Sequence, residues 1–217
     1  GTTVHDCQSQ YELEATRVSL DYSSNSFTHS LAYAESETTR DDFALGSRSF
    51  GSSGELNRLE YVGSATNLPG FDLVFGVDLE EEINGSLSRD NDGIYIEFLS
   101  DFSDNFFVTA GLRRDENDDF GSHNSYRLSS AYLFSLSDAE IKLKGSYGSG
   151  FRAPSLFEID YNNGPFSFPP AAGLKLVEEH STGVEYGIEY LAGSVSLELV
   201  RFDQEVEDAI FFDLAGF

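Results

Sequence analysis

One stretch of this chain carries residue types spaced as a cation site would need them. "DENDDFG" sets Asp115, Asn117 and Asp119 at alternate positions, with Gly121 closing the run. Hard oxygen donors spaced in this way suit calcium. An EF-hand loop also needs a glycine at its sixth position and a glutamate at its twelfth, where this stretch has Phe120 and Tyr126. "DNDG", Asp90 to Gly93, is a second acidic turn of the same kind. Solvated loop tips are the plainer expectation for both turns, and calcium is the chemical alternative. Catalysis finds no such pattern: no nucleophile elbow, metal pair or phosphate loop is present. "GSGFRAPS" lacks the third glycine of a dinucleotide fingerprint. The segment around it, "SYGSGFRAPSLFEIDYNNGP", Ser146 to Pro165, leaves regular alternation for aromatics, acids and asparagines.

The surrounding elements are strands. From Phe71 to Leu79 the odd positions are apolar (Phe71, Leu73, Phe75, Val77, Leu79), and Asp72 and Asp78 fall between them. Val184, Tyr186, Ile188 and Tyr190 alternate with Glu185, Gly187 and Glu189. Ile141, Leu143 and Tyr147 alternate with Lys142, Lys144 and Ser146. A period of two with one apolar face predicts β-structure, and no window shows a helical stripe. Ten strands are expected, near 13–23, 26–38, 55–66, 70–82, 92–101, 105–116, 124–136, 139–150, 180–191 and 194–207. Short connections rich in Ser, Asn, Asp and Gly alternate with long ones, which suits an up-and-down meander with all long loops at one end.

Such strands fit either a soluble sandwich or a membrane barrel. Sandwich strands run about 5–6 residues. Membrane strands need about 9–11, with short turns on one side and long loops on the other. The longer segments and the loop asymmetry favour the barrel, as do Asp72, Asp78, Lys142, Lys144, Glu185 and Glu189, which suit a wet lumen. Phe27, Tyr61, Phe71, Phe98, Phe134 and Tyr190, near strand ends, suit interfacial girdles. No stretch reaches the roughly 18 apolar residues of a membrane helix. The formal net charge of −25 argues against nucleic acid, whose phosphates require a basic face. The single cysteine, Cys7, has no internal disulfide partner. The 217 residues begin at Gly1 and contain no Met, so a piece of a longer protein is expected. Phe217 resembles the terminal residue of a closing strand, but Asp213 breaks its alternation, and a cut point is the preferred expectation.

Beyond this pattern lies a resemblance. Phe151, Arg152, Ala153 and Pro154 are followed by Leu174 and Lys175, then Glu179, His180 and Ser181, then Glu185 and Gly187, then Phe202, Asp208 and Ile210. This ordered series resembles the barrel of TonB-dependent outer-membrane receptors, including their cobalamin-transporting branch. It departs at Leu176 and Val177, where the family usually has one proline. The resemblance implies an all-β, antiparallel up-and-down transmembrane barrel, here about ten strands of about 22. Residues 1–217 would be part of that barrel, with the plug domain and C-terminal strands outside them. It further implies residence in the bacterial outer membrane against lipid, and energised uptake of a ferric siderophore or cobalamin. The periplasmic TonB complex would be a partner through the plug. No enzyme activity or resident cofactor is implied, apart from calcium in outward loops. Phe151, Arg152, Phe157, Asp160, Tyr161, Asn162 and Phe166, with Phe168, Glu158 and Asn163 nearby, are then expected in a ligand-capture surface. Packing of the loop is the alternative for each aromatic, and pairing with acids on adjacent strands is the favoured role for Arg152. A passive porin, or a ten-stranded outer-membrane protease using His123 and His180, are the other functional readings.

Overall fold

The computed structural model describes residues 6–165, 167 and 173–211, all but Asn67 with their side chains. Phe166, Phe168 and Phe217 lie outside these residues. The ten expected strands are present: β1 (Cys7–Ser23), β2 (Phe27–Ala44), β3 (Ser47–Leu68), β4 (Phe71–Asn84), β5 (Leu87–Ser103), β6 (Phe106–Asn117), β7 (Gly121–Ser135), β8 (Glu140–Arg152), β9 (Glu179–Ala192) and β10 (Val195–Glu207). They form one open antiparallel sheet in strict sequence order, β1 to β10.

The two faces of this sheet are inverted relative to a soluble protein. Asp78 and Asp115 are 3% and 4% exposed, whereas Leu20 and Leu112 are 71% and 64% exposed. Water favours the reverse arrangement, because unpaired buried charge and exposed apolar surface are both unfavourable there. Hydrocarbon outside and a wet passage inside reconcile the pattern. In β4, Phe71 to Leu79 spans eight steps of about 3.3 Å, which at a tilt of about 40° gives roughly 20 Å of apolar wall. Aromatic pairs cluster near the short-turn end, with ring centroids 5.1 Å apart for Phe71 and Phe98 and 4.5 Å for Tyr132 and Phe134. That is where an interfacial girdle belongs. No described helix is long and apolar enough to cross a membrane.

Two sequence expectations require correction. The long connections expected at 37–55, 80–93 and 114–125 are largely strand: the turns between β2 and β3, and between β4 and β5, are two residues each, and that between β6 and β7 is three. Above the lipid neither face needs apolar residues, so alternation fades while backbone pairing continues through β-hairpins. Leu45 and Gly46 both have positive φ (53° and 75°), as a type I′ turn requires. Their Leu-Gly dipeptide lacks the usual Asn-Gly signal, which hides the turn. Finally, the stretch after β8 contains a helix, α1 (Leu156–Asn163). Its signal is the capping box rather than a stripe: the Ser155 hydroxyl accepts from Glu158 N–H, and the Glu158 carboxylate accepts from Ser155 N–H at 2.7 Å.

Candidate functional site

The charged face is organised by cross-strand register. Asp78 of β4, Gly93 of β5 and Asp115 of β6 are direct neighbours across three strands. Arg113, two residues before Asp115, donates from Nη1 to Asp78 at 2.6 Å and from Nε to Asp115 at 2.9 Å. Its guanidinium crosses directly over Gly93, where an added Cβ would sit 2.1 Å from Nη2. The glycine therefore makes the bridge geometrically feasible. Arg58 of β3 approaches Asp78 from the other side at 3.0 Å and Glu60 at 3.4 Å, and Glu60 meets Arg17 of β1 at 3.6 Å. Alternating charges thus cross the wall from β1 to β6, each paired with a neighbour. On β8 to β10 the same logic recurs: Lys144 bonds Glu189 at 3.0 Å and also bonds Glu198, while Lys142 lies 3.3 Å from Glu189. Lys144 passes over Gly187, where a Cβ would stand 3.1 Å from its Cε. The Glu185-x-Gly187 motif thus has a packing reason at its glycine.

Toward the far end of the strands, the chain leaving β8 turns onto this face. α1 packs on β4 and β5. Pro154 is fully buried and Leu156 is 2% exposed. Arg89, itself buried, donates from Nη1 to the Pro154 carbonyl at 2.7 Å and from Nη2 to Glu82 at 2.5 Å. The Leu156 N–H reaches Glu82 at 3.4 Å. A cavity of about 370 Å³ lies below this crossing, lined by Glu80, Glu82, Arg89, Asn91, Arg113 and Asp115 among others, and bounded by Phe151 and Ala153. Its polar walls and partial enclosure suit a polar group of a bound molecule.

Arg152 anchors the crossing. It donates to Glu179 of β9 from Nε at 2.7 Å and from Nη2 at 3.0 Å, and to Glu158 of α1 from Nη1 at 2.9 Å. These bonds, together with the Ile210 N–H, hold the Glu179 carboxyl down at about 2. For Glu158, burial pushes the carboxyl up, but Arg152 and the Ser155 cap outweigh it and the group sits below its usual range. The Phe-Arg-Ala-Pro motif therefore holds structure together at Phe151, Arg152 and Pro154. Phe151 stacks on His123 at 4.3 Å, Arg152 clamps two acids, Ala153 borders the cavity and Pro154 is buried. Ser181 supports the same strand end, donating to the Gly150 carbonyl at 3.4 Å.

The expected capture residues divide. Phe157 and Tyr161 lie 6.2 Å apart, and Phe157 makes an edge contact with Phe50 of β3 at 6.4 Å. Asp160 is exposed on the same helix. Asn162 instead donates to the Leu174 carbonyl at 2.8 Å, closing the connection on itself. Sequence patterning gives no hint of Phe50 or Arg89, because only the fold brings β3 and β5 beside α1.

In the acidic turn each of the three side chains has a protein partner. Asp115 faces the lumen and is bound by Arg113. The Asn117 side-chain oxygen accepts from Asp119 N–H at 3.1 Å and Phe120 N–H at 3.3 Å, building the turn. The Asp119 carboxylate stands 3.9 Å from Arg89.

The comparisons agree with this geometry. Vitamin B12 transporter BtuB of Photobacterium profundum is 25% identical over 122 residues, 56% of this chain and 18% of its own length. That of Vibrio vulnificus is 26% identical over 165 residues, 71% of this chain and 25% of its own. The chain thus spans a quarter or less of these curated relatives. The siderophore receptor PirA of Pseudomonas aeruginosa superposes with a TM-score of 0.76 at 20% identity, over 91% of this chain and 39% of PirA. The sheet therefore has the fold of part of a larger barrel. The profile described as TonB dependent receptor-like, beta-barrel matches residues 3–217, and the chain belongs to that family, whose members reside in the bacterial outer membrane.

Proposed function

We propose that this chain forms part of the wall and outward rim of a receptor that imports a bulky nutrient, a ferric siderophore or cobalamin, across the outer membrane. The supporting observation is the juxtaposition of an aromatic patch with a polar cavity at one mouth. Phe50, Phe157 and Tyr161 offer ring faces, and Glu80, Arg89 and Asn91 line the recess beside them. Large chelates carry both apolar rims and polar centres, and a pocket that orients them needs both kinds of group. Energy for passage would come from the periplasmic TonB complex acting on a plug domain. The wall itself makes no chemistry and supplies affinity and a wet path. A passive porin would share the wall but have no use for saturable capture.

Growth discriminates these readings. A strain lacking the full-length receptor should lose growth either on limiting cobalamin or on a ferric siderophore, and restoration should saturate with nutrient concentration. Phe157→Ala in the full-length receptor should raise the concentration needed for half-maximal growth by about tenfold, since stacking faces contribute about 1–3 kcal/mol to buried ligand contacts. Uptake that rises linearly with concentration and ignores the energising complex would sink the proposal in favour of a pore.

A further inference from the structure

At the rim, three metal-ligating side chains converge beside the Arg152 clamp. His123 lies near the start of β7, Glu178 immediately precedes β9, and His180 is its second residue. Their donor atoms all lie within 4.8 Å of one another. The Glu178 carboxylate sits between the two rings, 3.7 Å from His123 Nε2 and 3.9 Å from His180 Nε2. None of these residues takes part in the aromatic patch or the charged ladder.

The local structure holds this trio in place. His123 is stacked against Phe151 at 4.3 Å, and Phe151 is the direct cross-strand partner of His180. Glu179, between Glu178 and His180, is fixed by Arg152. The His123 side chain is only 10% exposed, whereas that of His180 is 48% exposed, so one side of the cluster is sheltered and the other opens to solvent. His123 Nε2 donates to the Phe120 carbonyl at 3.0 Å, a bond that an ion taking Nε2 would replace while the carbonyl oxygen stays nearby as a further donor.

Two imidazoles and one carboxylate make a borderline donor set, which suits zinc, nickel or copper and not calcium or magnesium. Ligands about 2.0–2.1 Å from a tetrahedral ion stand about 3.4 Å apart. The two carboxylate–imidazole separations need to contract by about 0.3 and 0.5 Å, and rotation of the exposed His180 ring must close the rest of the 4.8 Å spread of the donor atoms. We propose that His123, Glu178 and His180 bind one divalent transition-metal ion of the zinc class, leaving a coordination position open toward solvent. The ion would join β7 to β9 past the upper part of β8, where β7–β8 pairing ends at Arg127 and Gly148.

The test is zinc titration of the full-length receptor in detergent, read by competition with a chromophoric chelator and with calcium in excess. One equivalent should bind, and His180→Gln and Glu178→Gln should each weaken it about tenfold or more, since losing one of three ligands removes a large share of the binding energy. His29→Gln, whose ring bonds Tyr61 elsewhere on the sheet, should bind as the unaltered receptor does. Both rim variants alter partly exposed side chains, and unchanged heat-dependent gel migration verifies that they fold. Absence of saturable zinc binding by the folded receptor overturns the proposal, as does binding that either rim substitution leaves unchanged.

Discussion

Arg113 and Arg152 each hold two carboxylates, yet they work in different surroundings. Arg113 sits within the wall and bonds Asp78 and Asp115, whose side chains are each 5% exposed. Arg152 sits at the rim, 45% exposed, and bonds Glu158 and Glu179 across the start of a connection. In the wall, removal of the cation leaves two carboxylates without water or full pairing, which is strongly unfavourable. At the rim, water replaces the lost partner and the global effect is small. The same constellation therefore stabilises the sheet in one place and positions a helix and a strand end in the other.

Breaking the wall network should have the largest effect. Arg113→Met in the full-length receptor should lower unfolding free energy in lipid vesicles by about 3 kcal/mol, as expected for buried charges left unpaired, and urea titration would measure it. A loss no larger than that of Arg152→Met would erase the distinction between the two regions. Gly93→Val tests the same network through sterics, because its side chain occupies the path of the Arg113 guanidinium. A destabilisation of about 1–3 kcal/mol is expected, the range for overpacking, and Gly111→Ala, with only ordinary contacts around the added carbon, should be far milder.

Smaller effects belong to the rim. Ser155→Ala removes the helix cap and should cost about 1 kcal/mol locally, seen as faster amide exchange over 156–163 with unchanged global unfolding. Arg152→Gln should likewise speed exchange around α1 and the start of β9 and leave the sheet's unfolding curve in place. Acid offers the finest probe. Because Glu179 is held at about 2 in the folded protein, below the ordinary carboxylate value of 4.5, the clamp contributes in full above that ordinary value and is lost as pH falls through about 2. Exchange at the rim should therefore be nearly unchanged between pH 7 and pH 5 after correction for intrinsic rates, and should rise progressively at lower pH. Loss of protection already at pH 5 would mean that Arg152 does not hold Glu179 in solution.

Legibility in the sequence follows the lipid. Phe71 to Leu79 and Val184 to Tyr190 alternate because one face meets hydrocarbon, so the strands can be found from pattern alone. Asp41, Asp42 and Ser49, in the β2–β3 hairpin above that level, obey no such constraint, and the strand they continue reads as loop. α1 leaves no periodic trace because its helix is set by Ser155 and Glu158 rather than by an apolar stripe. Arg152 is legible as a partner for acids, whereas the neighbourhood of His123, Glu178 and His180 is not, since 55 residues separate Glu178 from His123.

Sequence by itself determined the strand count, the polarity of each face and the family, because alternation at period two and an ordered motif series are local properties that survive without coordinates. Only the tertiary structure decided which charges meet. Register sets Asp78, Gly93 and Asp115 side by side, and the turn after Pro154 brings α1 over β4 and β5. Both depend on pairings between residues far apart in the chain, whose spacing no local pattern records.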